Sequence, residues 1–391
     1  MNYVRSQFIL SKLSKIHFMN DGLAARINMQ YNVLKYKQRD VLFMKFDTLR
    51  VGVIGATGYA GLELIRLLLG HPAVELTYVA GNHDVDDLLS NQFAHLAGRT
   101  SVRLQKYNFD TCKDLCDVVF VALPAGASGK IGSELWKAGK RVIDLSGDLR
   151  IPAELYSTWY GKEPIETEIQ QQAVYGLPEW FKKEISSATL ISNPGCYPTA
   201  TLLGLLPVIR NNLHSPGIPI VVDAKSGVSG AGRAPKQNVH FGELAENFYA
   251  YKVGKHQHIP EIEYYLDSSL ECKVTFTTHL LPVIRGIFTS MYVPLQSEVS
   301  ESDILDIYQF AYESAPFVQI LAPGQIPEIK SVRGSNVCQI GFTLDKRTGM
   351  LQIFSAIDNL QKGAAGQAVQ NLNVLLDLPE TTGINYVPLV P

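Results

Sequence analysis

The chain has 391 residues, 46% of them hydrophobic and 18% charged, which supports packed cores and excludes a disordered protein. A formal charge of −2 gives no global attraction to nucleic acid or to acidic membranes. No stretch reaches the ~18–20 continuous apolar residues that a membrane-spanning helix needs.

Residues 1–45 hold eight Lys/Arg and two acids, a local +6 that leaves −8 for the remainder. Residues 1–47 read as an appended segment, with Met44 falling just before the first strand as a start residue would. The segment lacks the apolar stretch and cleavage site of a secretory signal. Two readings stand for it: a disordered or mis-called extension, or a basic, acid-poor transit peptide. A cytoplasmic location is expected, or a plastid one under the second reading. The five cysteines are scattered, and Cys112 and Cys116 are the only close pair. Nothing completes a zinc site, so no metal is expected, and the thiols suggest a reducing compartment.

Strong pattern begins at Leu49–Ile54, a short β-branched run that predicts a buried strand. Gly55-Ala-Thr-Gly58-Tyr-Ala-Gly61 follows as a turn, and Leu62–Leu69 predicts an apolar helix. Between a strand and a helix, such a loop suits a dinucleotide pyrophosphate. Gly55 serves the turn, Gly58 allows close approach, and Gly61 packs helix on strand. The second strand, Val74–Ala80, leads into Gly81-Asn82 with no acid at its tip, which favours NADP over NAD, although Asp84 lies close by. No Arg or Lys stands nearby for a 2′-phosphate; His83 is the nearest substitute. Further strands are predicted at Asp117–Leu123 and Arg141–Leu145, giving a parallel sheet with helices on both faces.

Near Cys196 the pattern changes. Ser192-Asn-Pro-Gly-Cys196-Tyr-Pro-Thr199 makes a turn into an apolar helix over Ala200–Leu206, which puts Cys196 at a helix amino end. That environment favours the reactive thiolate. The other four cysteines lack such a turn and read as structural. Long alternating runs at Ile218–Asp223, Lys273–Leu280 and Gly286–Pro294 predict strands in which antiparallel pairing is natural. A helix is predicted at Ser302–Ser314, and the tail Gly363–Leu376 reads as helical. His256 and His258 are suited to acid/base work near neutral pH, and their spacing does not choose between them.

Five motifs in one order carry a family resemblance from about residue 48 to the end. They are Gly55–Gly61, Asn193–Thr199, Ser226-Gly-Val-Ser-Gly-Ala-Gly-Arg233, His256-Gln-His258-Ile-Pro-Glu261 and Asp358-Asn359-Leu-Gln-Lys-Gly-Ala-Ala-Gly-Gln367. The chain resembles the N-acetyl-γ-glutamyl-phosphate reductase family, within the aspartate-semialdehyde dehydrogenase superfamily. The resemblance implies an α/β Rossmann-like NADP-binding domain over 48–195 plus 358–391. It implies an inserted α+β catalytic and oligomerisation domain over 196–357, and a homo-oligomer, dimer or tetramer. It also implies NADPH-dependent reduction of N-acetyl-L-glutamyl 5-phosphate to the 5-semialdehyde through a Cys196 thioester. Gly55, Thr57, Gly58, Tyr59, Gly61, Pro124, Ser226, Gly227 and Asn359 would bind the cofactor. His256 leads slightly over His258 as the acid/base, and Arg233, Arg285 and Glu261 would bind substrate. The chain departs from the family where Ala125, not His, follows Pro124, and where the second strand lacks a basic follower. The competing readings are another enzyme of the superfamily, acting on aspartate semialdehyde or a carrier-bound glutamyl phosphate, and a non-catalytic NADP sensor.

Overall fold

Leu49–Ile54 forms strand β1, with every residue from Val51 onward buried, as a central strand covered by helices on both faces must be. The computed structural model describes residues 48–81, 86–267 and 272–389, with the backbone of Tyr31–Asn32 and Phe43–Met44, which pair antiparallel. Asn82, His83, Asp84 and the rest of the basic amino-terminal segment lie outside the described residues.

After β1 come β2 (Val74–Gly81), β3 (Asp87–Leu88), β4 (Arg103–Lys106), β5 (Val118–Val121), β6 (Arg141–Asp144), β7 (Val174–Tyr175) and β8 (Leu190–Ser192). They form one sheet in the order β3-β4-β2-β1-β5-β6-β8-β7, parallel throughout except at the β3 edge. Helices α1 (Tyr59–Leu68), α2 (Phe109–Leu115), α3 (Ser128–Lys137) and α4 (Pro178–Ser186) lie between its strands in the chain. The strand order reverses beside β1, between β2 and β5. That switch opens a crevice at the carboxyl ends of β1 and β5, where open α/β sheets bind ligands.

Helix α5 (Cys196–Arg210) is apolar nearly all round and buried, so it serves as core rather than surface. Its Leu202, Leu203 and Leu206 pack with Val222, Met291 and Ile353 of a second sheet. That sheet comprises β9 (Ile220–Gly227), β10 (Tyr249–Tyr251), β11 (Val274–Leu281), β12 (Ile287–Pro294), β13 (Val318–Ile320), β14 (Cys338–Asp345) and β15 (Met350–Ile357). Its order is β10-β11-β9-β12-β15-β14-β13. The expected antiparallel pairing gives way at two places, since β9–β11 and β13–β14 run parallel. Helix α6 (His258–Leu266) supplies the crossover that lets β11 return in the direction of β9. Helix α7 (Glu301–Tyr312) starts at Ser300, which forms a capping box with Asp303.

The tail differs from a simple helix. Gln361–Ala365 form a π-helical turn that runs into α8 (Gly366–Leu375). Val369 and Leu372 of α8 join Val51, Leu64 and Phe120 in the core of the first sheet, so the chain's end returns to its beginning. Among the described residues no helix is long and apolar enough to cross a membrane.

Candidate active site

The glycine loop takes the shape that its residue types demand. Gly55 has φ +89°, and a side chain there would strike the Ala122 carbonyl. A side chain at Gly61 would strike the Gly55 carbonyl, so α1 can lie close on the loop. Gly58 is different: the nearest atom to its absent Cβ is the Gly55 carbonyl at 3.6 Å. That opening lies at the start of α1, which has no side-chain cap, so its first N–H groups point outward from an open cradle. A dinucleotide pyrophosphate fits such a cradle. Tyr59 is 40% exposed at the helix start, and Pro124 is exposed at the end of β5. Ala125 leads into Gly126, whose N–H donates to Asp148 at 2.8 Å.

Cys196 opens α5 with Gly195 as its amino-terminal cap. It is half-buried, while Cys112, Cys116, Cys272 and Cys338 are buried. Burial pushes its thiol up to about 11, against the pull of the Tyr197 N–H, the Arg150 charge and its own N–H; Glu261 pushes the same way as burial. The expected thiolate-favouring influence of the helix start is therefore present but outweighed, and the resting side chain is a thiol. Nucleophilic use of this sulfur would require a base to take its proton. Across from the sulfur-bearing carbon lies Gly363 of the π-turn: a Cβ there would sit 2.8 Å from the Cys196 Cβ. Asn193 donates to the Ala364 carbonyl at 3.2 Å and accepts from Asn371 at 3.0 Å. These bonds tie the cysteine loop to the carboxyl-terminal segment.

The two histidines sit unlike the extended pair that their spacing suggested. His258 opens α6, and its N–H donates to Nδ1 of His256 at 3.1 Å. His256 is enclosed by the rings of Tyr197, Tyr251 and Phe276. His258 instead turns Nε2 toward the cysteine loop, 2.6 Å from where a Gly195 side chain would begin. Burial lowers both imidazoles, His256 to about 3 with help from Lys252, and His258 well below its ordinary range with help from His256 and Arg150. Both are neutral at pH 7, and the nitrogen facing the thiol loop belongs to His258.

Glu261, expected at the substrate, is 1% exposed, and both its oxygens are taken. It accepts from the Gly195 N–H and the Tyr175 hydroxyl at 2.8 Å, and faces Arg150 at 3.3 Å. It holds the cysteine loop. Arg285, expected as a substrate clamp, pairs with Glu63 of α1 at 2.8 Å and with Asp358 at 3.5 Å, so its charge is spent between the two sheets. Arg233, the other expected clamp, reaches the glycine loop, donating to the Thr57 carbonyl at 2.9 Å. Asn359 accepts from the Gly286 N–H at 2.8 Å and donates to Ser229 at 2.9 Å. It thereby fixes the loop that begins with the buried Ser226 and Gly227.

One site residue was not foreseen. Arg150 is buried, and its Nη1 lies 2.9 Å from an ideal Gly195 Cβ. It donates to the carbonyls of Asn193 and Leu145 at 2.9 and 2.8 Å. The available signal was the run Asp144-Leu-Ser-Gly-Asp148-Leu-Arg150, which carries charges past the carboxyl end of a parallel strand.

Two family models match the chain: the semialdehyde dehydrogenase NAD binding domain over residues 50–188, and the semialdehyde dehydrogenase dimerisation domain over residues 196–359. The N-acetyl-gamma-glutamyl-phosphate reductase of Brevibacillus brevis is 46% identical over 345 residues, covering 88% of this chain and 99% of that protein. That of Oceanobacillus iheyensis is 44% identical over 346 residues, with the same coverage. Among solved structures, aspartate semialdehyde dehydrogenase II of Vibrio cholerae superposes with a TM-score of 0.64 at 17% identity, covering 85% of this chain and 99% of that one. The aspartate semialdehyde dehydrogenase of Candida albicans, solved with NADP, gives 0.63 at 16% identity, with 84% and 99% covered. At these identities the likeness establishes the shared fold.

Proposed function

The chain belongs to the N-acetyl-γ-glutamyl-phosphate reductase family, and we propose that Cys196 carries the acyl group of the reaction while His258 moves the proton. The enzyme is an oxidoreductase of arginine biosynthesis: it reduces N-acetyl-L-glutamyl 5-phosphate to the 5-semialdehyde and releases phosphate. NADPH, when bound, supplies the hydride; the glycine loop Gly55–Gly61 and the start of α1 would hold its pyrophosphate.

In this reading the Cys196 sulfur attacks the acyl-phosphate carbonyl. The C–O bond to phosphate breaks, and the thiol proton passes to Nε2 of His258, the nitrogen facing the cysteine loop. The thioester accepts hydride more readily than a carboxylate would. The resulting oxyanion lies against the N–H groups that open α5. Collapse breaks the C–S bond, frees the aldehyde and returns the proton to sulfur. Arg150 holds the Asn193 carbonyl and Glu261 holds the Gly195 N–H, so the loop that carries the sulfur is fixed beside the imidazole. The observation that carries this reading is the convergence of Cys196, His258, Arg150 and Glu261 on Gly195. A cytoplasmic location and a dimer or tetramer built on the dimerisation domain belong to the same proposal.

The decisive assay runs the reaction backwards: oxidation of N-acetylglutamate semialdehyde with NADP⁺ or NAD⁺, with and without inorganic phosphate. Phosphate-dependent NADP⁺ reduction is expected, with aspartate semialdehyde a poor substrate. Equal rates on aspartate semialdehyde, or rates indifferent to phosphate, would overturn the assignment.

A further inference from the structure

A cation for the adenosine 2′-phosphate is missing from the sequence around β2, and the fold brings one in from the other sheet. Arg233 follows β9 of the second sheet, 176 residues from the glycine loop, yet its Nη1 donates to the Thr57 carbonyl at 2.9 Å. Its guanidinium carbon lies 5.1 Å from the centroid of the Phe93 ring. Thr57 in turn adjoins the end of β2, since a Cβ on Gly81 would meet the Thr57 methyl at 3.0 Å. Arg233, Thr57, Gly81 and Phe93 therefore cluster at the carboxyl end of the second strand. That is where dinucleotide folds read the substituent on the adenosine ribose 2′ oxygen.

Charge and hydrogen bonding at this corner suit a phosphate. Among the described residues, the nearby carboxylates are engaged: Asp86 pairs with Arg103 at 2.6 Å, and Asp87 accepts from Asn91 and the Leu88 N–H. Arg233 uses one of its five N–H donors on Thr57, and the remaining four make no hydrogen bond among the described residues. A planar guanidinium steadied on an aromatic face, with donors to spare, is suited to bidentate phosphate binding.

We propose that Arg233 holds the 2′-phosphate and so sets the preference for NADP(H) over NAD(H). The proposal rests on the dinucleotide site assigned above. It makes cofactor choice a property of how the second sheet's loop docks on the glycine loop, because the discriminating side chain comes from the second sheet. The rival cation is Lys106, which pairs with Gly81 in the β2–β4 ladder.

The test is calorimetric binding of NADP⁺, NAD⁺ and 2′,5′-ADP to wild type, Arg233→Leu, Arg233→Lys and Lys106→Leu, with melting temperatures as a folding check. Arg233→Leu should weaken NADP⁺ and 2′,5′-ADP by roughly 10- to 100-fold and leave NAD⁺ within about twofold, with Lys recovering part of the loss. Equal weakening of NADP⁺ and NAD⁺, an unchanged NADP⁺ affinity, or a loss confined to Lys106→Leu would overturn it. A wild type that binds neither dinucleotide would instead remove the cofactor site itself, and this inference with it.

Discussion

Burial pushes the Cys196 thiol up to about 11, whereas the proposed chemistry uses its sulfur as a nucleophile. The sign is plain: a raised thiol pKa means that the proton is kept at neutral pH. Iodoacetamide labelling of Cys196 in the ligand-free enzyme should therefore rise about tenfold per pH unit through pH 8–10. A plateau beginning near pH 7 would show the thiolate to be preformed. The partner histidine has the opposite sign. With its pKa well below 6.5, His258 stays neutral as pH falls, so kcat/KM should remain level between pH 7.5 and 6 rather than decline with an ordinary imidazole. His258→Asn should cost roughly 10²- to 10⁴-fold in kcat, and His256→Asn much less, because the Nε2 of His258 is placed against Gly195 of the cysteine loop. The reverse ranking would transfer the role to His256. At this scale the sequence was informative where chemistry is local. Cys196 and the glycines were readable because their turns are written into neighbouring residues. Arg150 and the structural use of Glu261 were not, because their contacts join residues 43 to 111 positions apart.

Elements were legible where a single period dominated. Leu49–Ile54 and the helix after Cys196 follow from short buried runs, whereas β7, at two residues, carries too little pattern to be seen. The parallel pairing of β9 with β11 depends on a crossover that alternation alone does not announce. The π-turn at Gln361–Ala365 was hidden for another reason: its small residues read as an ordinary helix start, and only the packed structure gives them a purpose. Lys362 in that turn is fully buried, bonded to Glu179 at 2.6 Å and Gln370 at 2.7 Å. Gly363 beside it leaves room for Cys196. π-Turns recur at functional sites, and here the turn forms one wall beside the Cys196 side chain. Gly363→Ala should lower kcat by roughly 10- to 100-fold through displacement of the sulfur, with a smaller change in KM. The variant's melting temperature and its Cys196 labelling rate separate misplacement from unfolding. Unchanged kcat and labelling in a folded variant would show that the glycine is dispensable.

Across the whole molecule, the two sheets are joined by the returning helix α8, by charged residues and by shared apolar packing, since Tyr175 of β7 lies in the core of the second sheet. Arg285 links the turn between β11 and β12 to Glu63 on the glycine-loop helix, so the two halves of the site are registered by a part-buried ion pair. The second sheet is unevenly covered. Its inner face packs on α5, while its outer face carries a cross-strand row of Thr275, Val221, Tyr292, Gln352 and Thr343 over five strands. Val221 is 42% exposed there. This sheet lies within the matched dimerisation domain, and an open sheet face of mixed apolar and polar side chains is what a second copy would cover. Val221→Glu would place an unpaired carboxylate in the middle of that row, which a packed interface tolerates poorly. Light scattering on the variant should then report a species near the 43.2 kDa of one chain, against a larger mass for wild type. Variant and wild type of equal mass would move the interface to another surface.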